Sequence, residues 1–405
     1  MSLTKIIPTF LVLILQILLL PLRLVKLFIK PEEVWLLGAW VGKKYDDNPK
    51  HLFEYLNKKN EKAVFLTRSQ QVYDHLKAKG FNVAKFYSLK SLIYGFKAKY
   101  LVMSVSYDDL DFFAYLFPKN KIIVNLWHGS PLKNVMNQKR PLVIKIVRST
   151  IIKYLGRNFD IVFTASELFV KHLKEYFNIP EKNFVIEGYP RNDVFFNKPK
   201  KPAFLENLNY KKIVLLAPTF REYEDDKDWN IFDRYQFLES KILDYCQDED
   251  VLFLVNLHFR DILTKNLVNK MKKKYPVEKY PNLIFLTEEM NEGSIYNVMP
   301  YADILMTDYS GIFYDYLLAN KPVVFLPFDF DKYTEHRGFY FDYYNEITFG
   351  YRSKNWIEAK ESVQEIIEKG DLYIKERGKV QKLTNANITG NYTELTYQKI
   401  KKFTR

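Results

Sequence analysis

Two histidines in this sequence stand at the ends of apolar runs. His128 lies in "NLWHGSPLKNV" (125–135), and His258 ends "VLFLVNLH" (251–258). An imidazole has an ordinary pKa of about 6.5, so it can take a proton from a substrate at neutral pH. Gly129 beside His128 lets backbone approach a ligand closely. We therefore predict that His128 is a catalytic base. The alternative is that its side chain only caps and stabilises the turn.

The other histidines do not share this placement. His51, His75 and His172 lie in helix-like polar contexts and are predicted to be surface residues. His128 and His258 lie at strand ends, one in each half of the chain. This placement predicts that they face each other across a cleft, as a base and a phosphate-stabilising cation.

A phosphate site is predicted in "TDYSGIFYDYLLANKP" (307–322). Asp308 or Ser310 can cap a helix that starts near Gly311 and continues to about Ala319. The free N–H groups and positive end of the dipole at such a terminus attract an anion. An ordinary capped helix without a ligand is the alternative.

Three arginines flank predicted loops of the same kind: Arg191 in "GYPRND", Arg221 in "APTFRE" and Arg337 in "EHRGFYFDY". Arginine is permanently charged, and one guanidinium can donate two parallel hydrogen bonds to two phosphate oxygens. Together these side chains are predicted to neutralise a pyrophosphate without a metal or other cofactor. A surface ion pair is the alternative for each arginine taken singly.

Several other chemistries lack their sequence signatures. The chain has no G-x-x-x-x-G-K-[ST], no G-x-G-x-x-G, no HExxH or Cys/His cluster and no G-x-S-x-G. Its single cysteine, Cys246, excludes an internal disulfide and is predicted to be a buried structural thiol. Nucleoside-triphosphate, zinc and acyl-transfer chemistry are therefore disfavoured.

Short apolar runs rich in β-branched residues, separated by amphipathic stretches, predict the elements that position these side chains. Such runs are typical of strands buried on both faces in parallel β-α-β units. A first series is predicted at 34–40, 63–69, 100–106, 122–129, 161–166 and 184–189, and a second at 213–220, 251–258, 283–288, 304–310 and 322–327. Two series predict an α/β protein of two doubly wound, Rossmann-type domains, with ligands bound beyond the carboxyl ends of the strands.

Charge and the N-terminus suggest an anionic partner. Lysine and arginine exceed aspartate and glutamate by 61 − 48 = 13 among 405 residues, which suits a phospholipid surface, a polyphosphate or nucleic acid. Residues 6–22 carry no charge, and Arg23, Lys26 and Lys30 follow among apolar residues. This pattern predicts a helix that associates with the membrane, with a buried N-terminal helix as the alternative.

Six blocks of this sequence occur in the order found in one enzyme family. The blocks are "WHGSPLK", "GYPRND", "APTFR", "LHFR", "TDYSG…YDYLLANKPVVFLPFD" and "YTEHRGFYFDY", which together span about 120–345. In these blocks the chain resembles the CDP-glycerol glycerophosphotransferases of wall teichoic acid and capsule synthesis. The resemblance implies a GT-B-like fold, monotopic attachment to the cytoplasmic face of the cell membrane, and transfer of glycerol phosphate from CDP-glycerol with release of CMP.

The resemblance also implies roles for individual residues. His128 would deprotonate the acceptor hydroxyl, and His258 would contact the donor phosphates. The donor-binding positions implied by the resemblance are Arg191, Thr219, Ser310, Gly311, Glu335 and Arg337. Those predicted from their place at strand ends are Gly129, Ser130, Pro131, Leu132, Pro218, Arg221, Arg260 and Asp308.

Four segments are predicted along the chain. Residues 1–30 associate with the membrane, 31–200 form the acceptor domain, 201–370 the CDP-donor domain and 371–405 a C-terminal helical segment. The boundary falls within the lysine- and proline-rich stretch 197–212. The helical region after about Lys354 is predicted to pack back across the first domain.

The expected partners are CDP-glycerol, a lipid-linked saccharide acceptor and an anionic membrane surface, not nucleic acid. The family usually has a proline where this chain has Phe259, and a second serine where it has Gly311. The lost hydroxyl leaves a ribitol-phosphate transferase as an alternative. A GT-B glycosyltransferase and a non-catalytic basic membrane-binding protein are the further alternatives.

Overall fold

The computed structural model describes residues 31–111, 114, 121–132, 159–221, 223, 229–257, 266–291, 293–339 and 344–404. These residues form two compact units, each built around its own parallel sheet. The first unit falls within Met1–His128, Val143–Arg191 and Asn391–Arg405, and the second within Gly129–Leu142 and Asn192–Gly390.

The sheet of the first unit has seven parallel strands in the order β3-β2-β1-β4-β5-β6-β7. They are β1 (Glu32–Leu37), β2 (Lys62–Thr67), β3 (Val83–Lys85), β4 (Ala98–Met103), β5 (Ile122–Asn125), β6 (Ile161–Thr164) and β7 (Phe184–Ile186). The helices of this unit are α1 (Asp47–Lys58), α2 (Gln70–Ala78), α3 (Leu89–Lys97), α4 (Glu167–Phe177) and, near the C-terminus, α14 (Tyr392–Lys402).

The sheet of the second unit has five parallel strands in the order β10-β9-β8-β11-β12. They are β8 (Lys212–Leu216), β9 (Val251–Val255), β10 (Leu283–Phe285), β11 (Ile304–Thr307) and β12 (Val323–Phe325). Its helices are α5 (Ala203–Glu206), α6 (Phe237–Ser240), α7 (Ile242–Asp248), α8 (Leu267–Lys274), α9 (Ile312–Tyr316), α10 (Phe330–His336), α11 (Tyr344–Ile347), α12 (Trp356–Lys369) and α13 (Ile374–Thr384).

The apolar runs form strands because both faces of each sheet are covered. Every residue of β5, β6, β9 and β11 is buried, as expected for parallel strands between helical layers. Each of the eleven predicted runs overlaps a strand of the structure, so the prediction of parallel α/β sheets is confirmed. The prediction missed β3, a strand of only three residues.

The predicted runs extend past the strands at their carboxyl ends. In the run predicted over 122–129 the strand ends at Asn125, and in the run predicted over 213–220 it ends at Leu216. These extra residues form the loops that carry the candidate site, since backbone there leaves the hydrogen-bonded ladder.

The last helix of the chain returns to the first unit. Ile400 on α14 is fully buried in the core of the first sheet, and the Tyr397 ring stacks 5.8 Å from that of Trp35. Thr393 donates a hydrogen bond to the Pro190 carbonyl at 3.2 Å. The helices α12 and α13 remain in the second unit, so only the final segment behaves as predicted for the region after Lys354.

The predicted membrane-associating segment 1–30 lies outside the described residues. Among the residues that the structure describes, no helix is both long and apolar enough to cross a bilayer. Cys246 is fully buried in the core of the second unit, as predicted, and burial raises the pKa of its thiol to about 12.

Candidate active site

A tight turn after β5 presents His128. Trp127 has a φ of 55° and Gly129 a φ of 123°, a region that favours glycine and strains other residues. The Trp127 N–H donates to the Asn125 side chain at 2.7 Å. A positive φ thus lies on each side of the histidine, in the turn that follows the strand end.

The Asn48 carboxamide braces this turn from α1. Its nitrogen donates to the Trp127 carbonyl at 2.7 Å and to the Leu126 carbonyl at 3.3 Å, and its oxygen accepts the Arg191 N–H at 3.1 Å. Asn48 is fully buried, so each of these bonds replaces water that cannot reach the group.

Arg191 connects the same turn to an acidic residue. Its Nη1 donates to the His128 carbonyl at 2.9 Å and to an Asp47 carboxylate oxygen at 2.7 Å. Both side chains are almost fully buried, and Asp47 has a φ of 65°. Arg191 thus lies next to His128 within the first unit and is already engaged by a carboxylate, while its predicted role in donor binding stays a prediction.

The His128 side chain is half-buried between two tryptophans. The Trp127 and Trp40 ring centroids lie 4.1 and 6.3 Å from its imidazole. Burial, and then the positive charge of Arg191, lower the pKa of His128 to about 4. Among the described residues its Nδ1 has no hydrogen-bond partner. The imidazole is therefore neutral at pH 7 with a nitrogen that can accept a proton.

Asp109 organises the loop that follows β4. Its carboxylate accepts the backbone N–H groups of Ser104 at 2.8 Å, Val105 at 2.6 Å and Val41 at 2.6 Å. Burial raises the pKa of this fully buried carboxyl to about 6. The backbone of Ser104 is in turn a hydrogen-bonding neighbour of His128.

Sequence reasoning missed these supporting residues. Asp109 has a local signal, because Ser106 and Asp109 form a capping box at the spacing S-x-x-D. Asp47 and Asn48 have none, since they act on groups that lie far away in the sequence. His51 on α1 and His172 on α4 are half-buried instead of exposed, so the prediction of these two as surface residues is wrong.

In the second unit, Arg221 lies between two carboxylates. Its Nη2 is 2.7 Å from Asp308, and its Nε and Nη2 are 2.8 and 3.0 Å from Asp329. All three side chains are at most 2% exposed. The ring centroids of Trp229, Tyr309 and Tyr333 each lie 4.8 Å from the guanidinium.

This environment gives Arg221 and Asp308 roles other than the predicted ones. Two acids already satisfy the Arg221 charge and hold its pKa above the ordinary value, so a phosphate would have to displace a buried ion pair. Asp308 accepts the Thr219 N–H at 2.9 Å and does not cap the following helix. We therefore interpret this pair as the brace that joins the ends of β8 and β11.

Ser310 and Gly311 begin the short helix α9. The Ser310 hydroxyl accepts the Ile312 N–H at 3.4 Å, as one of the two predicted caps, and a 3₁₀ turn continues from Leu317 to Ala319. A Cβ on Gly311 would lie 2.6 Å from the Ser130 carbonyl oxygen. The glycine is therefore required by the close approach of these two backbone segments within the second unit.

At the predicted donor-binding positions of the second unit, three buried polar atoms lack a hydrogen-bond partner among the described residues. They are Ser130 Oγ, Thr219 Oγ1 and Arg337 Nε. A buried polar group without a partner costs about 1–3 kcal/mol, and phosphate or polyol oxygens would satisfy all three.

The remaining predicted positions are placed as follows. Pro131 and Pro218 are half-buried, Leu132 is buried, and Glu335 is exposed near the end of α10, two residues before the half-buried Arg337. His258 and Arg260 lie outside the described residues. Within the part of the chain that the structure describes, no three His, Cys, Asp or Glu residues are grouped to hold a metal.

The sequence as a whole matches a known enzyme family. The family described as CDP-Glycerol:Poly(glycerophosphate) glycerophosphotransferase matches residues 19–402. The chain is 27% identical over 346 residues to the teichoic acid poly(glycerol phosphate) polymerase of Bacillus spizizenii, covering 79% of this chain and 80% of that protein. It is 30% identical over 324 residues to the teichoic acid poly(ribitol-phosphate) polymerase of the same organism, covering 73% of this chain and 50% of that protein.

The fold is similar to that of the wall teichoic acid polymerase TagF. The TM-score is 0.73, with 98% of this chain and 97% of that chain covered at 20% identity. The two parallel sheets and the structural similarity to TagF together define this chain as a GT-B-like α/β protein. The chain belongs to the CDP-glycerol:poly(glycerophosphate) glycerophosphotransferase family and is an enzyme of that class, which replaces the alternative of a non-catalytic membrane-binding protein.

Proposed function

We propose that this enzyme transfers glycerol phosphate from CDP-glycerol to a hydroxyl of a lipid-linked saccharide, with release of CMP, in wall teichoic acid or capsule synthesis. The observation that carries the proposal is the neutral imidazole of His128, with an unpartnered Nδ1, at a strand end of a chain that matches this family over residues 19–402.

The reaction is a displacement at the β-phosphorus of the donor. His128 takes the proton of the acceptor hydroxyl, and the acceptor oxygen forms a new bond to the β-phosphorus. The bond from that phosphorus to the bridging oxygen breaks, and its electron pair leaves with CMP. A base of this kind contributes by removing the proton as the new bond forms.

Charge on the phosphates requires stabilisation from positive groups and N–H donors. We assign this role to Arg337 and to the Ser130 and Thr219 hydroxyls, because each has a buried polar atom without a hydrogen-bond partner among the described residues. The N–H groups near Gly311 are proposed for it from the sequence pattern. His258 and Arg260 are proposed for the same role from their sequence positions. Arg221 acts indirectly by fixing Asp308.

Attachment to the cytoplasmic face of the membrane brings the enzyme to its acceptor. The uncharged stretch 6–22, the basic residues after it and the net charge of +13 support a monotopic or peripheral association with anionic lipid. The saccharide acceptor would then be reached without leaving the lipid surface.

Ribitol phosphate is the alternative transferred group. The similarity to a ribitol-phosphate polymerase supports it, as does Gly311 in place of a second serine. Turnover of CDP-ribitol in preference to CDP-glycerol by the purified enzyme would favour it. Release of UDP from a nucleotide sugar would instead indicate a glycosyltransferase.

The test of the proposal is CMP release from CDP-glycerol in the presence of a synthetic lipid-linked acceptor. We expect His128→Ala to lower turnover by about 10²–10⁴-fold, because the acceptor hydroxyl then loses its base. Donor affinity, measured by calorimetry, should stay nearly unchanged.

A histidine elsewhere supplies the matched control. His75 is exposed on α2, so His75→Ala should release CMP at the wild-type rate. Wild-type turnover by His128→Ala would reject the base assignment, and a folded wild-type enzyme that releases no CMP would reject CDP-glycerol as donor.

A further inference from the structure

Helix α3 exposes two large apolar side chains and buries two small residues. Ser91 and Gly95 are buried, whereas the exposed fractions of Leu89 and Ile93 are 73% and 43%. A helix at the surface of a globular unit normally turns its large apolar residues inward. Leu92 and Phe96 of α3 are half-buried, but the stripe formed by Leu89 and Ile93 faces outward, which indicates a partner for that stripe.

The orientation of α3 is fixed from both ends. At the N-terminus the Ser88 hydroxyl accepts the Ser91 N–H at 3.1 Å, and Ser91 donates back to the Ser88 carbonyl at 2.8 Å. At the C-terminus the buried Lys121 ammonium donates to the Gly95 carbonyl. Rotation of the helix to bury Leu89 and Ile93 would break these contacts.

We call the exposed Tyr87, Leu89 and Ile93, together with the half-buried Tyr94, the α3 face. Tyr87 precedes the helix and is 60% exposed. A groove of about 450 Å³ is lined by Leu89, Ile93 and Tyr94 together with the lysines at 90 and 97. The α3 face is therefore apolar at its centre and basic at its edge.

The sequence around the α3 face carries charge of one sign only. Residues 75–107 contain six lysines and no aspartate or glutamate. Lys97 pairs with Glu32, and Lys99 pairs with Glu33. Among the described residues, none of the other four lysines (Lys77, Lys79, Lys85 and Lys90) forms an ion pair with an acid, and we call these four the basic rim. Lys90 lines the groove, and its ammonium donates to the Val83 carbonyl at 2.9 Å while it keeps its charge.

We propose that the α3 face lies in the interface of an anionic phospholipid bilayer. Leu89, Ile93 and the tyrosines would enter the boundary between headgroups and acyl chains, while the lysines keep their ammonium groups at the anionic headgroups. This inference rests on the membrane attachment within the proposed function and adds a second contact, separate from residues 1–30.

The charge distribution favours lipid over protein occupants. A second copy of the chain seated on this face would bring lysine rims together, and like charges repel. Residues 1–30 carry Lys5, Arg23, Lys26 and Lys30 and no acid, so that segment has the wrong sign to cover the rim. An anionic bilayer satisfies both the apolar centre and the basic edge.

A fluorophore on the α3 face tests this directly in the full chain. Because Cys246 is fully buried, an Ile93→Cys variant can be labelled selectively with an environment-sensitive dye. We expect its emission to shift to the blue and brighten with phosphatidylcholine vesicles that contain phosphatidylglycerol, but not with phosphatidylcholine alone. Val277→Cys, at a 63% exposed site of the second unit, should show no such change.

Two results would overturn the inference. One is an unchanged emission from residue 93 while the protein floats with the anionic vesicles, because the α3 face would then remain in water. The other is a blue-shifted emission before any vesicle is added, because a segment of the chain or a second copy would then cover the face.

The basic rim is tested by vesicle partitioning of Lys90→Gln. One lysine near an anionic surface contributes about 1 kcal/mol, so we expect a roughly fivefold loss of binding, with no loss for Lys272→Gln on α8. Unchanged binding would contradict the role of the rim. CMP release from a water-soluble acceptor should be unaffected, so failure of the membrane contact and failure of the transferase reaction give different results.

Discussion

Burial keeps two histidines of the first unit neutral. The pKa of His51 falls to about 3, and that of His128 to about 4, because both lose hydration and lie near the positive charge of Arg191. A neutral imidazole is the form that accepts a proton from a hydroxyl, and the desolvation that costs stability at low pH keeps His128 in this form at pH 7.

These pKa values predict a pH dependence of stability. Unfolded histidine has a pKa of about 6.5, so below that pH the unfolded chain binds protons that the folded chain does not. The free energy of unfolding is therefore unaffected by these groups above pH 6.5 and falls as pH drops toward 4. We expect His51→Gln to weaken this loss, measured as the difference between variant and wild type in urea unfolding at pH 7 and pH 5.

The stability of the variant is compared with that of wild type because protonation of Asp109 changes the free energy of unfolding in the opposite direction to protonation of His51. The pKa of Asp109 is raised to about 6, so the folded chain binds a proton that the unfolded chain does not between pH 6 and pH 4. An identical loss of stability in His51→Gln and wild type would contradict the buried, neutral state of His51.

At the scale of elements, strand ends and helix starts are joined by backbone contacts that demand particular residues. The start of α9 approaches Ser130 so closely that only glycine fits at position 311. The buried ion pairs of Arg221 join the loop after β8 to Asp308 after β11 and to Asp329 before α10. Together these contacts fix the loops of the second unit that carry the proposed donor site.

Gly311→Ala should therefore destabilise the protein. The added Cβ would lie 2.6 Å from the Ser130 carbonyl, and forced repacking of this kind costs about 1–3 kcal/mol. We expect a lower thermal unfolding temperature and weaker binding of CDP-glycerol.

Gly378 in α13 is the matched control for this substitution. A Cβ there meets no atom within 4 Å, and alanine in a helix interior is favoured over glycine by about 0.5–1 kcal/mol. Gly378→Ala should thus unfold at the same or a higher temperature. Equal effects of the two substitutions would show that the approach to Ser130 is not restrictive.

At the scale of the whole molecule, the chain is divided between two hydrophobic cores. Each sheet has its own apolar cluster, and the first is completed by the last helix of the chain. Tyr397 of α14 contacts Trp35 on β1, and the Tyr397 hydroxyl bonds with Glu61, which lies 336 positions earlier.

Ile400→Ala should destabilise the first unit selectively. Truncating a fully buried isoleucine costs about 2–5 kcal/mol, and Ile400 is fully buried in the first core. We expect faster hydrogen exchange in peptides from β1, β2 and β4, with little change in β8, β9 and β11. The control Ile388→Ala removes a 38% exposed side chain and should alter neither set, whereas equal loss of protection in both units would contradict separate cores.

The sequence by itself determined the α/β class and its parallel sheets. Uninterrupted apolar runs such as 251–255, repeated in series with amphipathic stretches between them, are typical of strands buried between two helical layers, and this pattern indicated the fold class. It also located the His128 turn, because a glycine and a proline after an apolar run mark a strand end. A run of three residues such as β3 contains too few positions for any period to be detected.

Only the tertiary structure decided what surrounds these residues. Asn48 reaches Trp127 across 79 positions and Arg191 across 143, and no local pattern records such a contact. The same holds for Arg221, which the sequence presents as a phosphate ligand and the fold places between two buried carboxylates. A residue type fixes the charge that it brings, but the partner that neutralises this charge is chosen by chain segments that meet only when the protein folds.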